Sequence, residues 1–259
     1  MMKTTFFIAD LHLSDDTPKL NALFVQFMNE HAPKADALYI LGDLFEAWIG
    51  DDNDSETAKQ VAQTIKQFSQ FAPVYFIAGN RDFLVGKDFA RRANMTLLPE
   101  QTVIKRYQQR LLLTHGDEMC LDDVVYQRYR RVMRNGLVRF ILCHLPLKWR
   151  KQIAAKLRDK SRSRKVLPQN YQVADVSEQG IQAAYQRFAP IDVLIHGHTH
   201  RPDVHIHSIN QNRLQRYVLP DWREHDNKCG FLALNEHGIT FGEWLFMQPE
   251  NHQQESKSL

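Results

Sequence analysis

Cysteine is scarce in this chain of 259 residues: Cys120, Cys143 and Cys229 form no Cys-x-x-Cys pair and leave one thiol over. That argues against a disulfide framework and a thiolate metal site, and it fits a reducing compartment. Long apolar runs are missing too. The longest, Gly136 to Leu147, is broken by Arg139 and His144 and is too short to span a bilayer. The opening residues lack a basic stretch with a small-residue cleavage site, so no secretory leader is expected. There is no internal repeat and no low-complexity block. What these absences leave is a cytosolic globular chain, and 43% apolar content supports one large domain with an elaboration.

Net charge is also small, at +3, but it is unevenly spread. Residues 121–165 hold 14 Lys and Arg against 3 Asp and Glu, a local net of +11; the remainder carries 19 basic and 27 acidic groups, a net of −8. The chain reads as a mildly acidic body with a strongly basic insert.

What recurs is a short apolar run ending on a polar cluster. Thr5–Ala9 leads to Asp10-Leu-His12, Ala37–Leu41 to Gly42-Asp43, and Val74–Ala78 to Gly79-Asn80-Arg81-Asp82. Leu111–Thr114 leads to His115-Gly116-Asp117, and Ile191–Ile195 to Gly197-His198-Thr199-His200 after one residue. Such runs read as strands buried on both faces, while Lys19–His31 and Ser55–Phe71 have helical spacing. The expected fold class is α/β: layered mixed β-sheets flanked by helices, parallel at the first strands, with a helical cap insertion. Beyond His200, Arg213–Leu219, Phe231–Asn235 and Ile239–Phe246 read as short antiparallel strands. The expected division is a core over 1–120 and 166–247, a basic helical cap over 121–165, and a polar disordered tail over 248–259. Within the cap, Asp122–Arg134 and Leu147–Lys160 have helical spacing and are joined by the apolar Leu137–Leu142, with Phe140, Leu145 and Trp149 expected at the surface. The plainer alternative is a pair of crossover helices with a solvated basic face.

Ligands of open α/β sheets collect beyond the carboxyl ends of the strands, so these clusters should converge at one edge of a sheet. Together they bring Asp10, His12, Asp43, Asn80, His115, His198 and His200. A sulfur-free oxygen and nitrogen set of this kind suits Mn, Fe, Zn or Co. Seven donors are too many for one tetrahedral ion, whereas two ions sharing a carboxylate use them all, with Asp43 as the candidate bridge. Two metals about 3.5–4 Å apart suit in-line displacement at phosphorus, activating a water and holding phosphoryl oxygens. Each cluster alone is weak, because a lone strand-end histidine is more often a satisfied polar group; the conjunction carries the reading. Two other motifs fail. Gly79 to Lys87 suggests a phosphate loop, but six residues separate Gly79 from Gly86. Asp52-Asn-Asp54 hints at a calcium loop, but Thr57 stands where its glycine is needed.

The order D-x-H, G-D-x-x-E (Gly42 to Glu46), G-N-x-D, H-G-D, G-H-T-H resembles the calcineurin-like metallophosphoesterase superfamily. Ile8–Leu13, Leu41–Asp52, Gly79–Leu84 and Ile195–Pro202 further resemble its UDP-2,3-diacylglucosamine hydrolase branch of lipid A synthesis, over residues 4–246. The resemblance implies that Asp10, His12, Asp43 and His200 hold one ion, and that Asp43, Asn80, His115 and His198 hold the other, with Mn2+ favoured. It leaves His196 as a structural residue, and Glu46 and Asp117 as orienters of the ligands. It assigns catalysis to Asp43, Asn80, Arg81 and His198, and substrate contacts to Asn80, Arg81, Asp123, Ser161 and His198. The family's further Asn and Lys contacts do not match in Ser161–Asn170, where Lys165 and Gln169 are the substitutes.

The implied reaction is attack of water on the α-phosphorus of UDP-2,3-diacylglucosamine, giving UMP and 2,3-diacylglucosamine 1-phosphate. Arg81 fits this chemically. A guanidinium keeps its proton above about pH 12, so it cannot assist an alkoxide leaving group. A phosphate monoester, with a second pKa of about 6, leaves without a proton donor. The insert's basic side chains would attract anionic headgroups at about 1 kcal/mol each, and its apolar ones would shelter acyl chains. The expected partners are a lipid-linked UDP-sugar and an anionic membrane surface, at the cytoplasmic face of the inner membrane. No nucleic acid and no obligate protein partner are expected. One alternative is a nuclease or generic phosphodiesterase, although the insert lacks the aromatic–basic alternation of a base-stacking surface. The other is a non-catalytic scaffold, which should have lost ligands that are all present here.

Overall fold

The computed structural model describes residues 3–165, 175–224 and 228–245. Its layers follow from the alternation of side chains along each strand. In β1 (Thr4–Ile8), Phe6 and Ile8 enter one core, while Phe7 enters a second with Ala9 just beyond it. Helix α1 (Pro18–His31) starts on a proline, whose missing N–H costs nothing there, and buries Leu23, Phe24, Phe27 and Met28. β2 (Ala35–Leu41) splits as β1 does: Leu38 and Ile40 face the helices, and Ala37, Tyr39 and Leu41 face the other way. Helix α2 (Glu56–Phe68) is capped by Ser55, whose hydroxyl accepts from the Ala58 N–H at 3.2 Å. β3 (Val74–Ile77), α3 (Lys87–Ala93) and β4 (Thr96–Leu97) continue the alternation, and β1 to β4 are parallel.

β5 (Gln101–Arg106) and β6 (Gln109–Thr114) form a hairpin, after which come α4 (Val124–Met133), α5 (Gly136–His144) and α6 (Leu147–Lys165). α7 (Glu178–Phe188) leads to β7 (Val193–His196), β8 (Asp203–Ile209), β9 (Asn212–Val218), β10 (Lys228–Asn235) and β11 (Gly238–Leu245). Two mixed sheets result, ordered β11-β10-β1-β2-β3-β4 and β5-β6-β7-β9-β8. Phe7, Tyr39 and Leu41 meet Leu111, Leu113 and Ile195 between the sheets. Leu112 and Leu194, one residue out of phase, turn outward to Ile181 and Tyr185 of α7.

The expected α/β class of mixed sheets flanked by helices is what the molecule has, with three corrections of detail. The five polar clusters follow strands of two sheets rather than one edge of one sheet, β1, β2 and β3 in the first and β6 and β7 in the second. β9, expected antiparallel, runs parallel to β7 and antiparallel to β8. The apolar joint in the insert is itself a helix, α5, because Asn135 caps it by accepting from the Leu137 and Val138 N–H groups. The tail over 248–259 lies outside the described residues. Among the described residues, no helix is long and apolar enough to cross a membrane.

Candidate metal centre

The backbone itself is bent around the centre. Asp10, His12, Asp43, His198 and His200 have φ of 56°, 54°, 52°, 68° and 55°. A side chain in this left-handed region costs about 1–2 kcal/mol, and such residues cluster where function over-determines the geometry. Hydrogen bonds hold the turns: Asp10 N donates to Gly42 O at 3.1 Å, and Leu11 N and His12 N both donate to Asp43 O. Asp82 fastens two loops from the side. Its carboxylate accepts from Gly79 N and Leu44 N, both at 2.7 Å. Gly79 must be glycine, since a Cβ there would lie 2.2 Å from Asp43 Oδ1.

The strand ends thus bring donors of the expected set together. Asp10, His12 and His200 offer ligand atoms within 4.8 Å of one another, as do Asp10, Asp43 and His115. Asn80 Oδ1 stands 2.9 Å from His115 Nε2. The His198 ring meets that of His115 at 5.1 Å between centroids, and its backbone N–H donates to Asp10 Oδ2 at 2.8 Å. Both ring nitrogens of His12 are buried without a hydrogen-bond partner. Buried polar atoms are rarely left in this way, and an imidazole so placed fits a cation. His115 Nδ1 lies 2.8 Å from Leu41 O, so the proton sits on Nδ1 and Nε2 stays free to ligate. His200 is braced likewise, Nδ1 lying 3.3 Å from Asp221 Oδ2 while Nε2 faces Asp10 Oδ1 at 3.2 Å.

The electrostatics of the donor set are mixed: burial lowers His12, whereas for His115 burial is outweighed by Asp43 and Asp10, which raise it. Burial pushes Asp43 up to about 7, with Asp82 and Asp10 adding to the effect and His115 opposing it. Crowded, desolvated carboxylates of this kind call for nearby cations. Burial and the neighbouring His115 bring His198 down to about 4, which keeps its imidazole neutral, as a ligand must be. Burial works against protonation of His200, but its hydrogen bonds to Asp10 and Asp221 outweigh that and raise it to about 10, so an ion bound there would have to displace its proton. His196 belongs to a different network: its Nε2 lies 3.1 Å from Arg216 Nη1 and its Nδ1 2.8 Å from Gly197 O.

Arg81 enters the centre tethered at both ends. Its N–H donates to Asp43 Oδ1 at 2.9 Å, Nε faces Asp43 Oδ2 at 3.4 Å, and Nη1 pairs with Glu46 Oε2 at 2.7 Å. Glu46 also stands 3.7 Å from His12 Nδ1. The insert closes in from the other side. Asp117, buried beyond His115, accepts from Tyr126 OH at 2.5 Å and from Arg130 Nε at 2.8 Å. Arg130 and Arg134 share the two oxygens of Glu100, and Arg134 Nη2 donates to Gly79 O at 2.9 Å. These inward arginines are not the free charges that the insert's composition suggests.

Asp123, expected to touch substrate, is the N-cap of α4 and accepts from Tyr126 N at 2.9 Å. Ser161 and Lys165 lie on α6 with side chains outside the described residues, and Gln169 lies outside them altogether. Sequence reasoning gave no role to Asp82, Asp221, Tyr126, Arg130 or Arg134. Asp82 was visible as the last residue of Gly-Asn-x-Asp, and Tyr126, Arg130 and Arg134 share one helical face at four-residue spacing, but nothing along the chain named Asp117 and Glu100 as their partners or Asp221 as the partner of His200.

A calcineurin-like phosphoesterase family model matches residues 3–202. A UDP-2,3-diacylglucosamine hydrolase of Histophilus somni (strain 129Pt) is 46% identical over 222 residues, covering 85% of this chain and 93% of that one. Another, of Shewanella loihica (strain ATCC BAA-1088 / PV-4), is 44% identical over 246 residues, covering 93% and 99%. Among solved structures, a dimetal phosphatase from Danio rerio overlaps 93% of this chain and 98% of its own, at 10% identity and a TM-score of 0.46.

Proposed function

The chain belongs to the calcineurin-like phosphoesterases and, within them, to the UDP-2,3-diacylglucosamine hydrolase family, and on that premise we propose that it hydrolyses the pyrophosphate of UDP-2,3-diacylglucosamine to UMP and 2,3-diacylglucosamine 1-phosphate. Family membership makes it a metal-dependent hydrolase. Asp10, His12, Asp43 and His200 would hold one divalent ion, and Asp43, Asn80, His115 and His198 a second, with Mn2+ the preferred metal. Bound there, the ions would acidify a water and neutralise charge on the phosphoryl oxygens.

The observation that carries this reading is Arg81, tied to Glu46 and Asp43 at the mouth of the donor cluster. Its guanidinium can pair with phosphoryl oxygens as their charge grows, which suits a phosphate leaving group rather than an alkoxide. Asn80 and His198 would orient the α-phosphoryl group, and Glu46 keeps Arg81 from swinging away. Asp123, Ser161, Lys165 and Gln169 are the candidate contacts to the rest of the substrate. The cap has exposed apolar side chains to match a lipid: Leu137 is 68% exposed, Phe140 60% and Trp149 58%. In the same insert Arg128, Arg131, Lys148, Lys151 and Lys156 face solvent. That pairing supports peripheral association with an anionic bilayer, placed at the cytoplasmic face of the inner membrane. The test is Mn2+-dependent release of UMP from UDP-2,3-diacylglucosamine, set against cleavage of single-stranded DNA. Release of UMP without DNA cleavage is expected; DNA cleavage without UMP release would assign the chain to the nucleases.

A further inference from the structure

We propose that Arg150 is the positioning residue that locks α5 and α6 of the cap to the core, and so sets the lipid-binding part of the site; the lipid part of this statement rests on the function proposed above. Arg150 lies in the first turn of α6, yet it is only 4% exposed. Its guanidinium uses nearly all of its donors. Nε donates to Leu145 O, the capping residue of α5, at 2.8 Å. Nη1 donates to Ile49 O at 2.6 Å and to Asp52 Oδ1 at 2.7 Å, and Nη2 pairs with Asp52 Oδ2. One side chain therefore joins the α5–α6 corner to the 49–52 loop of the core.

The loop is shaped to receive it. Gly50 has φ of 132°, and a Cβ there would stand 2.2 Å from Arg150 Nη1. Asp51, beside it, accepts from Gly86 N, Asp88 N and Phe89 N at 2.9 Å each, which fixes the loop to the start of α3. The latch is thus rigid on the core side. On the cap side it controls the helices that bear Leu137, Phe140, Ile141, Trp149 and Ile153, all exposed. α4 has anchors of its own in Arg130 and Arg134. Lysine could not replace Arg150, because an ammonium lacks the planar fork that reaches Leu145, Ile49 and Asp52 together.

Two variants of the Mn2+-loaded enzyme, Arg150→Met and Gly50→Ala, test the latch from its two sides. In both, amide hydrogen exchange over residues 136–144 should speed up by about tenfold or more, while residues 124–133 keep wild-type protection. On UDP-2,3-diacylglucosamine, KM should rise by about tenfold with kcat held, the mark of lost uniform binding. A variant that merely unfolds in part would lose kcat at unchanged KM. Unchanged exchange over 136–144, or a fall in kcat without a rise in KM, overturns the proposal. If the wild type releases no UMP, the proposed function fails, and the exchange measurement still decides the latch.

Discussion

Asp43 carries several demands at once, as does Asp10, which belongs to both groups of candidate ligands. Asp43 lies within 4.8 Å of Asp10 and His115, receives the Arg81 N–H, and follows Gly42, where a Cβ would stand 2.6 Å from Gly79 Cα. Asp43→Ala should abolish turnover and lower the bound metal, while far-UV circular dichroism stays native. Turnover at the wild-type rate would contradict the two-metal arrangement. The residue types of the centre were legible in the sequence, because metal-binding chemistry restricts donors to a few side chains and their strand-end spacing repeats. Their supports were not. Asp221 acts on His200 through its second nitrogen, which leaves no pattern along the chain, and Asp82, although it closes the Gly-Asn-x-Asp motif, acts through backbone N–H groups of two loops that the motif does not reveal.

Single elements show where packing, rather than catalysis, decides behaviour. At the end of α1, His31 sits among Phe6, Phe27 and Phe231 with ring centroids 4.5–4.9 Å away, and neither nitrogen has a hydrogen-bond partner. Burial brings it down to about 4; Glu30 offsets this slightly and Lys34 adds to it. Between pH 6.5 and 4 the unfolded chain therefore binds the proton more readily than the native one. Stability is full above that window and falls as pH drops through it, by on the order of 3 kcal/mol from this group. His31→Phe should flatten the acid limb of a urea-denaturation stability profile by this amount, and an unchanged limb would show that His31 is not buried neutral. Strand-rich elements were legible because continuous apolar runs mark strands covered on both faces. The edge strand β8 was not: its apolar Val204 and Ile206 are exposed, while His205 and His207 between and beyond them are half-buried. The split of five strands between two sheets was hidden as well, since side-chain period reports burial but not partner.

At the scale of the whole molecule, composition marked the insert but overstated its free charge. Arg130, Arg134 and Arg150 bind carboxylates and carbonyls of the protein, which leaves Arg128, Arg131, Lys148, Lys151 and Lys156 among the exposed cations. The enzyme should sediment with vesicles containing phosphatidylglycerol at low salt. It should be largely released near about 1 M salt, where the Debye length is about 3 Å. Failure to bind such vesicles at low salt would remove the membrane-surface role and leave the cap to the substrate alone.

The central claim is hydrolysis at the α-phosphorus, and isotope placement tests it most directly. Hydrolysis of UDP-2,3-diacylglucosamine in 18O-labelled water, read by mass spectrometry, should place the label in UMP. Label in the 2,3-diacylglucosamine 1-phosphate would mean that water attacks the other phosphorus and would contradict the account.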